Sequence, residues 1–275
     1  MMQNKLKEFL CFLDREERSP ATQQQYRRDI LLFLSYLENQ EITKELVIRY
    51  KEELQRTHKI TSVNTKLAAL NHFFSFLGRE DLKVKQLKLQ RQAYCSQEKE
   101  LTKGEYLRLV QTAQKQKNEK LSLLLQTICG TGIRVSELRF ITVEAVQCGE
   151  AVIQLKGKTR VILLAGKLRK SLLRYAKRQG ILSGPVFCSN TGRALDRWRI
   201  WKMMKMLCEE AGVEKGKVFP HNLRHLFARC FYQLDKDLAK LADVLGHSNI
   251  NTTRIYIISS GREHRRCMES LELVV

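Results

Sequence analysis

Residues 245–256 read LGHSNINTTRIY, which places Tyr256 nine positions after His247 across a polar run without acidic residues. A phenol with a pKa of about 10 is almost entirely protonated at neutral pH, so a nucleophilic tyrosine needs a base or a strong positive charge beside it. Taken alone, a tyrosine in such a stretch is more often a helix-packing residue. The question is therefore which cationic side chains elsewhere in the chain could gather around this phenol.

One cationic segment precedes this stretch, at residues 219–230, and reads FPHNLRHLFARC. His221, Arg224 and His225 are three and four positions apart, so they share one face of a predicted helix near its start. A helix N-terminus favours an anion, and the planar fork of an arginine can hold two phosphate oxygens. Zinc is a weak alternative, because the pattern lacks the glutamate of HExxH and a third ligand. Simple capping and surface charge remain an open alternative.

A second cationic segment, GTGIRVSELRFI, spans residues 130–141. Gly130 and Gly132 are expected to break a helix, and Arg134 follows at the start of the next element. Glu137 is well placed to cap or to pair locally. Arg134 is therefore either a structural ion-pair partner or a clamp for an anion, and this segment alone leaves both interpretations open.

A third segment predicts a strand pair, residues 151–155 and 160–164, around the turn KGKT. The turn puts Lys156 and Lys158 at the tip of a hairpin, where a lysine could enter a DNA groove or could be a solvated turn residue. The string GKT does not belong to a nucleotide-binding loop, because the earlier glycine that such a loop requires would stand at Val152.

Taken in order, TGIRVSEL, KGKTR, HNLR and the LGH stretch with its tyrosine resemble the catalytic domain of the tyrosine recombinase (phage integrase) family, of the two-domain Xer-like type. The resemblance covers nearly the whole chain. It implies a site-specific DNA recombinase, or integrase, that cleaves and rejoins DNA strands through a 3′-phosphotyrosyl intermediate. Two rival functions are a type IB topoisomerase, which shares the chemistry, and a catalytically silent DNA-binding protein of the same fold.

The resemblance also assigns roles to residues. It implies that Tyr256 is the nucleophile and that Arg134 and Arg224 hold the non-bridging phosphate oxygens. It further implies that Lys158 protonates the departing 5′-oxygen, that His221 takes or relays the tyrosine proton, and that His247 forms a hydrogen bond with the phosphate. Lys156 remains a competing candidate for the general acid, although the separation of 24 positions from Arg134 to Lys158 favours Lys158.

Neither a cofactor nor a metal is expected, since a phosphotyrosyl ester conserves the energy of the broken bond and can be reversed without ATP. The eight cysteines form no CxxC pair and no zinc spacing with histidine, so they are predicted to be free thiols. No apolar run approaches the ~20 residues of a membrane span. We therefore expect no membrane association and a cytoplasmic location.

The predicted fold is mainly α-helical with a small β-hairpin. Four amphipathic helices predict a first domain over residues 1–82, residues 83–98 are predicted to be a linker, and residues 99–275 are predicted to form the catalytic domain. The resemblance implies that the first domain is a SAM-like core-binding domain that closes around DNA. Its candidate phosphate contacts, to which Lys156 of the hairpin is added, are Arg27, Arg28, Lys51 and Lys66.

Charge agrees with double-stranded DNA as the partner, because the chain carries a net charge of +20. Residues 1–98 hold 17 basic and 13 acidic side chains, whereas residues 99–275 hold 32 basic and 16 acidic ones. The excess therefore lies in the predicted catalytic domain. The resemblance further implies a homotetramer on synapsed DNA, helped by accessory directionality or DNA-bending proteins. It leaves open whether the C-terminal tail docks in cis or on a neighbouring protomer.

Overall fold

The computed structural model describes residues 2–38, 40–88, 100–155, 158–189, 191–256 and 269–271, with the backbone alone at Leu155 and Lys158. The chain divides into two compact units, Met1–Arg91 and Gln92–Val275. Each unit has its own buried hydrophobic core. Among the described residues no helix combines the length and the apolar character that a bilayer crossing requires.

The first unit is built from the four helices that the sequence predicts. They are α1 (Met2–Arg15), α2 (Pro20–Tyr36), α3 (Lys44–Thr57) and α4 (Ile60–Phe76). The side chain of Ser19 caps α2 by accepting a hydrogen bond from the Thr22 amide at 3.3 Å, and Pro20 occupies the first turn. Fully buried phenylalanines from three helices, Phe9, Phe33, Phe73 and Phe74, fill the core between them.

Part of the predicted linker belongs to the first unit. Asn71 makes a reciprocal pair of hydrogen bonds with the backbone of Val84, at 2.8 and 3.0 Å, and Asn64 makes the equivalent pair with Leu87, at 2.9 and 2.8 Å. Val84 is buried. Side-chain amides of α4 thus fasten residues 83–88 as an extended segment, so the first unit continues beyond residue 82. Residues 89–98 of the predicted linker lie outside the described residues.

The second unit carries eight α-helices and one hairpin in its described part. These are α5 (Lys103–Lys115), α6 (Glu119–Thr131), α7 (Val143–Cys148), β1 (Glu150–Leu155), β2 (Lys158–Leu163), α8 (Gly166–Arg178), α9 (Arg197–Met206), α10 (Pro220–Asp235), α11 (Leu238–Leu245) and α12 (Ile250–Arg254). A capping box opens α5, where the Glu105 amide donates to Thr102 Oγ1 at 3.1 Å and the Thr102 amide donates to Glu105 Oε2 at 2.7 Å. The mainly helical fold with one small hairpin is confirmed.

The start of the second strand differs from the prediction. β2 begins at Lys158 rather than at residue 160, because Leu155 pairs with Lys158 and antiparallel pairing continues to Glu150 opposite Leu163. α9 ends at Met206, because backbone hydrogen bonds that span three residues, such as Leu207 to Met204, replace the four-residue bonds of an α-helix there.

Six cysteines lie in the described part of the chain, and all six are free thiols. They are Cys11, Cys129, Cys148, Cys188, Cys208 and Cys230. Cys95 and Cys267 lie outside it, as does the C-terminal tail apart from residues 269–271, so the expected docking of the tail is not described.

Candidate functional site

Five predicted catalytic residues converge on one place in the second unit, because each stands at the end or on the inner face of a helix there. Arg134 follows α6, His221 and Arg224 lie on the first turns of α10, His247 follows α11 and Tyr256 follows α12. α6 and α11 pack on α10, and α12 packs on α11. Side chains that are up to 122 positions apart in the sequence therefore share one pocket.

Arg224 is the most deeply buried cation of this pocket, with only 1% of its surface exposed. Its Nη2 donates to the carbonyl oxygen of Leu245 at 2.7 Å and lies 2.9 Å from Nε2 of His247, and its Nη1 donates to the carbonyl of Gly132. Its Nε is buried and has no hydrogen-bond partner in the described part of the structure. Burial and the neighbouring Arg134 lower the pKa of Arg224 to about 10. Since its described partners are neutral, its positive charge stays available to an anion.

Arg134 is an ion-pair partner and also a partly exposed cation, so it fits both roles that the sequence left open. Its Nη1 donates to Oε1 of Glu137 at 2.9 Å, yet 39% of its side chain is exposed. Oε2 of Glu137 accepts from the Arg134 amide at 2.9 Å and from Nη2 of Arg160. Burial alone would raise the pKa of Glu137. The hydrogen bond from the Arg134 backbone amide and the charges of Arg160 and Arg134 outweigh burial, so the pKa is lowered. One carboxylate between two guanidinium groups leaves the cluster with a net positive charge.

Two glycines make room for side chains around the site, Gly132 for Phe227 and Gly246 for Arg160. Gly132 ends α6 at φ +63°, and a Cβ there would lie 2.4 Å from the Phe227 ring. Gly246 ends α11 at φ +63°, and a Cβ there would lie 2.4 Å from Cδ of Arg160. The prediction that Gly130 breaks the helix is wrong, because α6 continues through Gly130 to Thr131. Only Gly132 has the left-handed conformation that ends this helix.

Tyr256 is buried, with 4% of its surface exposed, inside a small group that we call the tyrosine cluster: Ala228, Leu241, Leu245 and Tyr256. Three imidazole rings surround the phenol. The ring centre of His225 lies 4.4 Å from that of Tyr256 in an edge-on contact, His247 is nearly parallel at 5.6 Å, and His221 lies at 5.9 Å. The phenol and its candidate proton acceptors therefore occupy one site.

The hydrogen bonds of His247 determine which of its nitrogens carries the proton. Arginine can only donate, so Nε2 of His247 accepts from Arg224 at 2.9 Å. Nδ1 then carries the proton and donates to Oγ1 of Thr253 at 2.8 Å. Burial, followed by the charges of Arg224 and Arg134, lowers the pKa of His247 to about 4. His247 is therefore neutral at pH 7 and held at both nitrogens.

The two histidines of α10 are also shifted toward their neutral form. Burial and the neighbouring His221 lower the pKa of His225 to about 4. Partial desolvation and the charge of Arg224 lower the pKa of His221, although this residue is still exposed to solvent. Neutral imidazoles can accept a proton, whereas imidazolium ions cannot. The site therefore holds unprotonated bases next to a phenol and two arginines at neutral pH.

These shifts predict how stability depends on pH. His225 and His247 have folded-state pKa values of about 4 against 6.5 for an ordinary histidine. Between those pH values the unfolded chain binds more protons than the folded chain. The contribution of these two histidines to the free energy of unfolding is therefore fully present above pH 6.5 and is lost as the pH falls toward 4. We expect the free energy of unfolding of the second unit to fall by at least about 2 kcal/mol over that range, a value well below the full effect of both shifts because solvent screens the two part-exposed rings. Urea unfolding at several pH values measures it. His225→Asn should flatten the slope, and a stability that is constant from pH 7 to 4.5 would contradict the assignment.

The predicted hairpin lysines are only partly described. Lys158 is the first residue of β2, whereas its side chain and the whole of Lys156 lie outside the described part. The structure therefore leaves the choice between the two lysines as a prediction.

The candidate DNA contacts of the first unit differ in their availability. Arg27 and Arg28 are exposed on α2. Nζ of Lys51 donates to the carbonyl oxygen of Lys85 at 2.7 Å. Nζ of Lys66 lies 3.2 Å from Oδ1 of the buried Asp29, and only 13% of the Lys66 side chain is exposed. Lys66 thus compensates a buried carboxylate, which makes it the least accessible of the four.

Sequence reasoning did not identify Arg160 and Thr253 as members of the site. Thr253 lies three positions before Tyr256, and Arg160 lies two positions after Lys158. The sequence did contain a signal for Arg160, since side chains two positions apart on a strand share a face.

Metal binding has no support in the part of the chain that the structure describes, where no three histidine, cysteine or carboxylate side chains are grouped as ligands.

Comparison with known proteins agrees with this geometry. The profile of the phage integrase family matches residues 99–262, and the profile of the phage integrase N-terminal SAM-like domain matches residues 6–81. The chain is 30% identical to tyrosine recombinase XerD of Halalkalibacterium halodurans, over 92% of each chain. It is 28% identical to tyrosine recombinase XerA of Thermococcus kodakarensis, over 98% of this chain and 95% of that one.

A solved structure shares the fold at lower sequence identity. The lambda integrase (75–356) dimer bound to a COC′ core site superposes with a TM-score of 0.72 over 92% of this chain and 94% of that one, at 16% identity.

Proposed function

The chain belongs to the phage integrase family, and from that premise we propose that this tyrosine recombinase cleaves and rejoins DNA at the pocket formed by Arg134, Arg224, His247 and Tyr256. The relatives named as tyrosine recombinases support site-specific recombination over topoisomerase activity and over silent DNA binding. The single observation that supports the site most strongly is the buried Arg224, whose described partners are all neutral, beside a phenol surrounded by three imidazoles.

In this proposal the two arginines bind the scissile phosphate. Negative charge builds on the non-bridging oxygens as the phenol attacks, and fixed cations stabilise that charge most in a water-excluded pocket. Arg224 is fixed by two carbonyls and His247, and Arg134 is fixed by Glu137. Both guanidinium groups are thus preorganised and need little rearrangement when the charge develops.

Proton transfer follows from the neutral histidines. The phenolic proton passes to His221. His247 would hydrogen-bond the phosphate once the phosphate replaces it on Arg224 and its Nε2 gains a proton; in the structure Nε2 accepts from Arg224. The hairpin lysine, which we assign as Lys158, protonates the departing 5′-oxygen. The attack breaks the bond between phosphorus and the 5′-oxygen and forms a bond between phosphorus and the Tyr256 oxygen. Attack by a 5′-hydroxyl reverses each step, so bond energies balance without ATP.

The number of strands favours a tetramer. Exchange between two duplexes breaks four strands, and one tyrosine can hold one strand end at a time. We therefore propose four copies on two synapsed DNA sites, with Arg27 and Arg28 of the first unit among the phosphate contacts. Accessory directionality or DNA-bending proteins would act on that assembly.

Covalent trapping tests the proposal and locates the DNA target. Genomic DNA of the source organism, carrying random nicks, would be incubated with the protein and then denatured. Purifying the protein under denaturing conditions would recover only the DNA that is covalently attached to it. A nick just beyond the scissile phosphate releases the 5′-hydroxyl fragment, so the protein stays attached to the 3′ end of the other fragment. We expect adducts that share one sequence and carry DNA on Tyr256 by mass spectrometry. Attachment at another residue, or no attachment despite binding, would refute the proposed nucleophile.

A further inference from the structure

We propose that Arg160 is a positioning residue that ties the β-hairpin to the phosphate-binding turn and so delivers the hairpin lysine to the leaving oxygen. This inference rests on the proposed function. Arg160 itself is not expected to touch DNA, because only 13% of its side chain is exposed.

Arg160 connects three parts of the chain. From β2 its Nη2 donates to Glu137, which follows α6, and its Nη1 donates to the carbonyl oxygen of Val244 at 3.2 Å, in the last turn of α11. Its Cδ packs over Gly246, where any Cβ would overlap it. Gly246 directly precedes His247. One side chain thus joins the hairpin to both the Arg134 cluster and the histidine turn.

The hairpin needs such a connection near its tip. Within the residues that the structure describes the sheet has two strands, and an isolated two-stranded hairpin is marginally stable. Ala151 and Ile162 anchor its base in the core, and Ile153 is buried opposite Arg160. Beyond that pair the next residues, Gln154 and Thr159, are exposed. Arg160 and Ile153 therefore form the last anchored pair described before the lysine turn.

The shape of the guanidinium matters as well as its charge. Glu137 already has a cation in Arg134, so charge neutralisation does not require Arg160. A planar fork can reach Glu137 and Val244 at once, whereas an ammonium group offers one point of contact. We expect loss of this fork to free the hairpin tip and to slow protonation of the leaving oxygen, while binding of the phosphate by Arg134 and Arg224 continues.

A substrate with a sulfur leaving group separates protonation of the leaving atom from binding of the phosphate. DNA with a bridging 5′-sulfur at the scissile phosphate releases a thiolate, whose pKa of about 8.5 makes protonation unnecessary. On normal DNA we expect Arg160→Gln to cleave about 10²-fold more slowly than the unaltered protein. On the sulfur substrate its rate should return to within about threefold of the unaltered protein. Both substrates would use the target sequence recovered by covalent trapping, and rates would be measured in single turnover.

Control variants distinguish this inference from the proposed function. Lys158→Ala and Lys156→Ala identify the general acid, since sulfur should rescue the variant that lacks it, whereas Arg134→Ala should be slow on both substrates. An equal defect of Arg160→Gln on both substrates would overturn the positioning role. If sulfur still rescues one of the lysine variants in that case, the proposed function stands. If Arg160→Gln does not fold, Arg160→Lys should show the same rescue with a smaller defect of about tenfold, and an unrescued defect there would also overturn the role.

Discussion

Tyr256→Phe should lower the rate of covalent adduct formation by at least about 10⁴-fold while the protein keeps its fold and its affinity for DNA. The substitution removes only the phenolic oxygen. The ring that packs in the tyrosine cluster, against Ala228, Leu241 and Leu245, remains. We expect the free energy of unfolding to change by about 1 kcal/mol or less, because one hydroxyl group is lost from a packed ring.

Trapping on nicked target DNA, followed by a denaturing gel, measures this effect. Tyr232→Phe is the matched control, since Tyr232 lies in the same unit and packs against the same cluster without belonging to the pocket. The control should form adducts at the rate of the unaltered protein. Adducts of Tyr256→Phe at a comparable rate would show that another side chain attacks the phosphate.

Arg224→Lys should reduce cleavage about 10³-fold, equivalent to roughly 4 kcal/mol of transition-state stabilisation. Lysine keeps the charge, but a single ammonium cannot reproduce the guanidinium bonds to Gly132, Leu245 and His247. The charge therefore loses its fixed position. His247 also loses the donor at Nε2 that holds its proton on Nδ1, so one change disturbs two groups of the site.

Single-turnover cleavage at saturating DNA isolates this chemical effect from binding. Arg229→Lys is the matched control, because Arg229 lies on the same helix but pairs with Glu100 and the Leu101 carbonyl rather than with the pocket. It should cleave within a few-fold of the unaltered rate. If both variants lose activity equally, the defect belongs to helix α10 as a whole and not to the phosphate-binding guanidinium.

The sequence predicts most of this architecture because its signals are local. Apolar residues at helical spacing define the four helices of the first unit, and the Thr102–Glu105 box marks the start of α5. The motif residues Arg134, Arg224, His247 and Tyr256 also stand at recognisable spacings. Their convergence follows from the packing of α6 and α11 on α10 and of α12 on α11.

The missed features depend on contacts between residues far apart in the sequence. Arg160 reaches Val244 across 84 positions, and Lys66 reaches Asp29 across 37. The amides of Asn64 and Asn71 hold a segment that reads as a linker by composition. No periodicity or motif encodes such pairings, since each requires the fold to bring the partners together first.

The tyrosine cluster is separate from the large core of the second unit, and α10 contributes to both. Leu223 and Leu226 belong to the large core, whereas Ala228 belongs to the cluster with Leu241 and Leu245 of α11. A segment that packs on its own small hydrophobic cluster can open locally at a lower free energy than the whole domain. The movement available to the nucleophile is thus governed by a few side chains of its own, so substitutions that strengthen the large core can raise thermal tolerance without slowing turnover.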